Sequence, residues 1–181
     1  ADLHDQNDIL DALVVTNRLS GALASALGGM EAERVFYAPY GVELGSGCAE
    51  PAPASGAAGT QPLRIAWVGR LDRAQKRIQD LAPILEALDA GGIPFQVTIA
   101  GDGPERPLVE TSLADRIAAG QVIVAGAIPR SELARRVYCT HQVLLITSEW
   151  ETGPIVAWEA MAAGMAVVSS RYVGSGLEGA L

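Results

Sequence analysis

The sequence is poor in the residues that build disulfide frameworks and zinc sites. It contains two cysteines, Cys48 and Cys139, and two histidines, His4 and His141, which stand far apart along the chain. Two cysteines cannot form a disulfide framework, and no Cys/His cluster has the spacing of a zinc site. We interpret the cysteines as two free thiols, one in a loop and one in a helix, which indicates a reducing cytoplasm.

Long apolar runs are absent as well. No run approaches the roughly 20 residues that are needed to cross a bilayer. The acidic N-terminus lacks the charged and apolar regions of a signal peptide. The net charge of −8 argues against a general nucleic-acid binder. Together these absences predict a cytoplasmic protein that does not bind nucleic acid.

Lysine is almost missing, because Lys76 is the single lysine among 13 basic residues. It lies in the stretch 69–77, which concentrates four cations directly after a predicted strand. Arginine clamps phosphate with two parallel hydrogen bonds and lysine adds a point charge, so this stretch is a candidate phosphate site. The alternative is a solvated surface cluster whose charge is balanced by Asp72 and Asp80.

The composition divides the chain into three parts. Residues 1–44 predict a strand-helix-strand unit that is too short to bury a core of its own. Residues 45–61 are rich in Gly, Ala, Pro and Ser and predict a flexible linker. In residues 62–181, short apolar runs alternate with helical segments, which predicts a doubly wound parallel sheet of the α/β class.

Ligands bind in such sheets outside the carboxyl ends of the strands, so the residues that follow each strand are candidates for a site. Helices are predicted over about residues 78–88, over about a dozen residues ending at Ala119, and over 132–139. The strands are predicted at 63–68, 95–100, 122–124, 143–147 and 165–169.

The most informative segment follows the fourth of these strands. Glu151 and Glu159 lie eight positions apart, and Gly153 and Pro154 between them open a predicted helix that Thr152 can cap. The start of a helix binds anions, because its free N–H groups and its dipole point the same way. The flanking carboxylates add hydroxyl recognition, so the segment suits a nucleotide-sugar. The alternative is that Glu159 is a solvated helix residue.

Two glycine-rich segments do not predict a dinucleotide site. The segment 101–104 is followed by Arg106, where the fingerprint needs a third glycine, and the segment 174–179 precedes no further βαβ unit. We therefore predict no nicotinamide cofactor.

Four motifs follow one another along the chain: Gly69-Arg70 with Lys76, Ala100-Gly101-Asp102-Gly103-Pro104, Gly126-Ala127-Ile128, and Ser148 through Val168. In this order they resemble the donor-binding half of GT-B glycosyltransferases, in particular family 4, the glycosyl transferases group 1. The resemblance covers about residues 62–178, and residues 8–44 resemble the last strand-helix-strand of the family's N-terminal acceptor domain.

The resemblance implies roles for residues at the phosphate end of a donor site. Arg70 and Lys76 would hold the donor diphosphate. The backbone N–H groups of Gly153, Ile155 and Val156 would face the phosphates or the sugar.

The resemblance also implies roles at the other end of the donor. Glu159 would accept hydrogen bonds from the ribose hydroxyls, Glu151 would lie beside the transferred sugar as the catalytic residue, and Ile128 and Arg130 would lie near the base. Family members retain the anomeric configuration and mostly need no metal, so we expect no metal and no cofactor. The basic pair can offset the charge of the leaving diphosphate.

The chain departs from the family pattern at several positions. Gly153 stands where the family usually has an aromatic residue or Leu, Met165-Ala166 replaces a small-Pro pair, and Gly-Ser-Gly replaces Gly-Gly before Glu178. We also expect a truncated chain, without most of the acceptor domain and without the family's last strands and crossing helix.

We therefore expect a donor-binding fragment of a retaining glycosyltransferase, inactive alone, whose complete form transfers a hexose-type sugar. Its expected partners are a nucleotide-sugar donor, the missing acceptor domain, and a glycan or lipid-linked acceptor. A lipid-linked acceptor leaves peripheral association with a membrane open. The alternatives are a non-catalytic nucleotide-sugar-binding module and a nucleotide-sugar epimerase of GT-B type. The base, the sugar and the acceptor stay open.

Overall fold

The structure is a computed structural model that describes residues 9–42, 48 and 61–172. The strands among these residues form two parallel sheets. The first sheet pairs strand β1 (Leu13–Val15) with strand β2 (Val35–Tyr37). Helix α1 (Arg18–Ala26) connects the two strands, and Asn17 caps its start by accepting a hydrogen bond from the Ser20 N–H. The result is a small βαβ unit ahead of the main sheet.

The second sheet has five parallel strands in the order β5-β4-β3-β6-β7. The chain starts in the centre, adds two strands on one side and then two on the other, so the order reverses between β3 and β6. The predicted doubly wound parallel sheet is confirmed. The strands are β3 (Leu63–Val68), β4 (Phe95–Ala100), β5 (Val122–Gly126), β6 (Val143–Ile146) and β7 (Ala166–Ser169).

The helices differ from the sequence predictions in two places. The predicted helix ending at Ala119 is interrupted at Leu113, whose backbone leaves the helical region and divides it into two. The helix predicted over 132–139 begins earlier and continues as a π-helical turn (Ala134–Tyr138). The helices are α2 (Leu81–Ala90), α3 (Arg106–Ser112), α4 (Ala114–Ala118), α5 (Arg130–Leu133) and α6 (Ile155–Ala162), and a 3₁₀ turn (Ile78–Asp80) precedes α2.

The core lies on both faces of the five-stranded sheet. Ile65 and Trp67 of β3 belong to one hydrophobic cluster, whereas Ala66 between them belongs to the other. This alternation follows from the two-residue period of a strand. Helices α2 and α3 cover the first face, and the π-helical turn and α6 cover the second. Burial on both faces explains why the strands are almost continuously apolar.

The prediction of two free thiols is wrong. Cys48 and Cys139 form a disulfide that joins residues 91 positions apart. Nothing in the spacing of two isolated cysteines indicates that they meet in space. Because disulfides persist in oxidising compartments, the thiol argument for a reducing cytoplasm no longer holds. Apart from Cys48 and Gln61, the predicted linker 45–61 lies outside the described residues, as does the segment 174–179.

None of the helices within residues 9–42 and 61–172 has the length and apolar character that a membrane crossing requires.

The loops that leave β3 and β4 touch backbone to backbone. A Cβ atom added at Gly101 would lie 1.8 Å from the carbonyl oxygen of Gly69. The Gly69 N–H donates to Ala100, and the Gly101 N–H donates to Gly126. The turns after β3, β4 and β5 are therefore bonded into one edge, and a side chain at residue 101 would separate them.

We predict that Gly101→Ala lowers the free energy of unfolding by about 1–3 kcal/mol, the usual cost of overpacking a filled site. Gly91→Ala is the matched control, because Gly91 has a helical φ of −78° and a new Cβ there would lie 3.4 Å from its nearest neighbours. Urea denaturation measures both variants. Equal stabilities for the two would contradict the close approach.

Candidate functional site

The candidate site lies at the carboxyl ends of β3 and β6, where the order of the strands reverses. β3 and β6 are neighbours in the sheet, so the loops that leave them, 69–77 and 147–154, start side by side. Doubly wound sheets bind their ligands in the crevice at this point. Both loops contain residues that the sequence predicted as site residues.

The structure brings Lys76 and Glu151 together. The Lys76 Nζ lies 2.6 Å from a Glu151 carboxylate oxygen, and the two side chains are only 18% and 6% exposed. The Ser148 hydroxyl donates to the same oxygen at 2.5 Å. The aliphatic stem of Lys76 passes over Gly69, where an added Cβ would lie 3.4 Å from Cε. The single lysine of the chain is thus half-buried and fixed in direction.

Asp72 organises the loop that presents these cations. One of its oxygens accepts from the Gln75 and Lys76 N–H groups at 2.7 and 3.1 Å, and the other accepts from the Arg70 Nε at 2.9 Å. Burial favours a raised pKa for this carboxyl, but the backbone N–H groups and the Arg70 guanidinium outweigh it and hold the Asp72 pKa below its ordinary value. The Arg70 side chain itself stays 65% exposed.

A second set of hydrogen bonds ties the two loops to each other. The buried Trp67 indole donates to the Thr147 hydroxyl at 3.0 Å, and that hydroxyl donates to the Lys76 carbonyl at 2.6 Å. The Glu149 N–H donates to the Gln75 carbonyl at 2.8 Å. Sequence reasoning did not consider Trp67, which looks like an ordinary strand residue, and gave Thr147 only a place among the strand-end candidates and no supporting role. These bonds fix the loop of Lys76 against the loop of Glu151.

Glu159 is held by two partners from the segment after β5. The Tyr138 hydroxyl donates to one carboxylate oxygen at 2.9 Å, and the Arg130 guanidinium donates to the other at 2.9 Å. Burial and the neighbouring Glu159 charge raise the pKa of Tyr138 far above its ordinary value, so this phenol stays a donor. The Glu159 side chain is only 17% exposed, so it is not the solvated helix residue of the alternative interpretation. Sequence reasoning did not identify Tyr138.

The base-end candidates lie at the same end of the sheet. Ile128 and Arg130 follow β5, and Ile128 packs against the cluster that α6 covers. Arg130 reaches Glu159 and thereby connects the residues proposed for the base with the residue proposed for the ribose.

The start of α6 is a tight turn and not a side-chain cap. Pro154 has φ −76° and ψ 79°, and the Ile155 N–H donates to the Gly153 carbonyl at 2.9 Å. This is an inverse γ-turn centred on proline. The prediction that Thr152 caps the helix is wrong: no side chain caps α6, and the Thr152 carbonyl instead accepts from the small βαβ unit.

No group of three or more His, Cys, Asp or Glu side chains with the arrangement of a metal site occurs in residues 9–42, 48 and 61–172.

Comparison with known proteins relates this chain to glycosyltransferases. A sequence model of the family described as glycosyl transferases group 1 matches residues 62–179. EpsF of Bacillus subtilis (strain 168), named as a glycosyltransferase, is 30% identical over 169 residues, which are 90% of this chain and 42% of EpsF.

Two solved structures share the fold. The lipopolysaccharide outer core galactosyltransferase WaaB, in its apo form, has a TM-score of 0.70 and 23% identity over 90% of this chain and 43% of its own. Alr3699/HepE of Anabaena, in complex with UDP and glucose, has a TM-score of 0.69 and 16% identity over 94% of this chain and 47% of its own. This chain therefore spans less than half the length of these relatives.

We predict that Asp72→Asn destabilises the protein by about 1 kcal/mol at neutral pH, since hydrogen bonds to a charged acceptor are lost. The native-state pKa of Asp72 is lowered, so its stabilisation is complete above the ordinary pKa of 3.8 and is lost as the pH falls below that value. Urea denaturation at pH 7, 5 and 3 measures the difference from wild type, which is expected to be equal at pH 7 and 5 and smaller at pH 3. A difference that grows on acidification would contradict the assignment.

Proposed function

The chain belongs to the glycosyl transferases group 1, a family of GT-B fold, and we propose that it binds a nucleoside diphosphate sugar at the carboxyl edge of its larger sheet. In the complete protein, this part presents the donor to an acceptor, and a hexose-type sugar is transferred with retention of the anomeric configuration. The acceptor is a glycan or a lipid-linked molecule bound by an N-terminal domain. We expect this chain alone to bind donor without turnover.

The observation that carries the proposal is the Lys76–Glu151 pair at the point where the strand order reverses. An ammonium group has three N–H donors, and the bond to Glu151 uses one of them while fixing the direction of the side chain. A cation fixed in place before the ligand arrives costs little reorganisation when charge develops. This arrangement suits a diphosphate whose negative charge grows as it leaves the sugar.

The remaining phosphate contacts come from Arg70 and from the start of α6. The Arg70 Nε bonds Asp72, so its terminal nitrogens are the donors offered to phosphate. The backbone N–H groups of Gly153, Ile155 and Val156 lie at the positive end of the helix dipole. Binding through Ile155 requires its N–H to exchange the Gly153 carbonyl for a phosphate oxygen.

The nucleoside lies on the side of Glu159. Its carboxylate accepts hydrogen bonds from the ribose hydroxyls, while Tyr138 and Arg130 fix its orientation. Ile128 and Arg130 flank the base. HepE, a protein of the same fold, forms a complex with UDP and glucose, which supports a nucleotide-sugar as the ligand.

Glu151 lies beside the transferred sugar. In the reaction, the bond between the anomeric carbon and the diphosphate oxygen breaks, the acceptor hydroxyl oxygen bonds to the same face of that carbon, and the hydroxyl proton passes to the departing diphosphate oxygen. Arg70 and Lys76 offset the charge of the departing diphosphate, so no divalent cation is required.

We predict that Lys76→Gln weakens the binding of nucleoside diphosphates by about 10-fold or more, since a charged hydrogen bond is worth about 1.5–3 kcal/mol. Glutamine keeps a donor for Glu151 but leaves its charge uncompensated, so urea denaturation of the variant is measured alongside to separate lost binding from misfolding. Arg73→Gln is the matched control, because Arg73 lies on the same loop, is 58% exposed and pairs with Glu105. Calorimetric titration with UDP, GDP and ADP, with and without EDTA, measures the affinities.

Two results of the Lys76 experiment would contradict the proposal. Wild type that binds none of the three nucleotides at millimolar concentration removes the donor site altogether. Equal losses for Lys76→Gln and Arg73→Gln would show that general charge, and not the Lys76 position, holds the nucleotide.

We predict that Glu159→Gln weakens nucleoside diphosphate binding by about 3- to 10-fold but leaves inorganic pyrophosphate binding unchanged, because pyrophosphate has no ribose. Lys76→Gln weakens both ligands. Glu132→Gln is the matched control, since Glu132 forms an exposed ion pair with Arg136 on the neighbouring helix. An equal loss of pyrophosphate binding in Glu159→Gln would contradict the ribose role.

A further inference from the structure

The loop that carries Glu151 is bonded to the small βαβ unit through one carbonyl group. The Thr152 carbonyl oxygen accepts from the Thr16 hydroxyl at 3.0 Å and from the Asn17 side-chain amide at 3.3 Å. A carbonyl oxygen has two lone pairs, so these donors occupy both. They come from adjacent residues at the end of β1, more than 130 positions away along the chain.

The Asn17 side chain makes two hydrogen bonds that together require an asparagine. Its side-chain oxygen caps α1 by accepting from the Ser20 N–H at 2.8 Å, while its nitrogen donates to Thr152. Among the side chains that commonly cap helices, only asparagine carries an acceptor and a donor on separate atoms. Asn17 is also 6% exposed, so an unpaired amide there would be costly. The same buried side chain therefore fixes both α1 and the Glu151 loop.

Tyr40 adds a third contact from the same unit. Gly153 has φ 136°, and a Cβ atom there would lie 2.9 Å from the ring of Tyr40. The Tyr40 ring thus occupies the space of a side chain at residue 153. This explains why glycine stands at a position where the sequence resemblance led us to expect an aromatic residue or Leu.

We infer that Thr16 and Asn17, with the Tyr40 ring, are positioning residues for the sugar end of the donor site. This inference rests on the proposed function for the role of Glu151. Thr152 directly follows Glu151, whose carboxylate is held by Ser148 and Lys76, so a shift of the Thr152 carbonyl moves Glu151 relative to its cation. We call the contacts of Thr16, Asn17 and Tyr40 with residues 152 and 153 the Thr152 anchor. Within the described part of the chain, Arg70 bonds Asp72 and Glu159 bonds Tyr138 and Arg130, so neither is bonded to the anchor and both hold the nucleotide independently of it.

Two substitutions remove the anchor and leave the helix cap in place. Thr16→Val removes the hydroxyl and keeps the branched shape, and Asn17→Asp keeps the capping oxygen but places a carboxylate oxygen against the Thr152 carbonyl. Thr111→Val is the matched control, because the Thr111 hydroxyl donates to the Pro107 carbonyl at 2.8 Å on an exposed helix away from the site.

The readout is the affinity for a nucleoside diphosphate compared with its sugar conjugates. The probes are UDP, GDP and ADP with the glucose conjugate of each, and UDP-galactose and UDP-N-acetylglucosamine. Thr16→Val and Asn17→Asp are expected to lose about 2- to 10-fold in affinity for the conjugate that wild type prefers, the worth of one hydrogen bond, with less than 2-fold change for the nucleoside diphosphate alone. Hydrogen exchange of the 151–156 amides is expected to accelerate in both variants and not in Thr111→Val.

Each outcome decides the inference. Unchanged exchange at 151–156, equal losses for both ligand classes, or a wild type that gains nothing from any attached sugar would each overturn it. A wild type that binds no nucleotide overturns the proposed function instead, and hydrogen exchange then still tests whether Thr16 and Asn17 hold the loop.

Discussion

The ion pair between Lys76 and Glu151 joins the two loops on which the site depends. The half-buried Lys76 ammonium lies 2.6 Å from an oxygen of the nearly buried Glu151 carboxylate. Removal of either partner would destabilise the fold, because it leaves an uncompensated charge away from water. The β3 and β6 loops must therefore stay together. Their relative position is set by the parallel pairing of the two central strands, so the sheet topology and the chemistry of the site are linked at this contact.

The neighbouring hydrogen bonds support that pair. Asp72 shapes the loop that ends in Lys76. Thr147 accepts from Trp67 of β3 and donates to the Lys76 carbonyl, so it bonds the β6 loop to the β3 loop. From the outside, Thr16 and Asn17 hold the residue next to Glu151. The pair is thus fixed from within the larger sheet and from the smaller unit, which connects the fold of both parts to one carboxylate.

The sequence predicted most of the sheet and the general place of the site. The strands of the larger sheet are apolar on both faces, so their positions followed from short apolar runs, and the strand-end rule directed attention to Lys76 and Glu151. The break at Leu113 was missed because the sequence around it has no Gly or Pro to end a helix. Tyr138 was missed because its bond to Glu159 spans 21 positions. The disulfide and the Thr152 anchor depend on still longer separations, which local patterns do not encode.

Because Lys76 is the single lysine of the chain, one measurement tests directly whether the edge formed by β3 and β6 binds the diphosphate of the donor. With ¹⁵N-lysine labelling, the side-chain nitrogen of Lys76 gives one NMR signal. We expect a saturable shift of that signal on titration with the nucleoside diphosphate that calorimetry finds to bind, with the same dissociation constant. Saturated binding without any shift of the Lys76 signal would place the nucleotide elsewhere and contradict the proposed donor site.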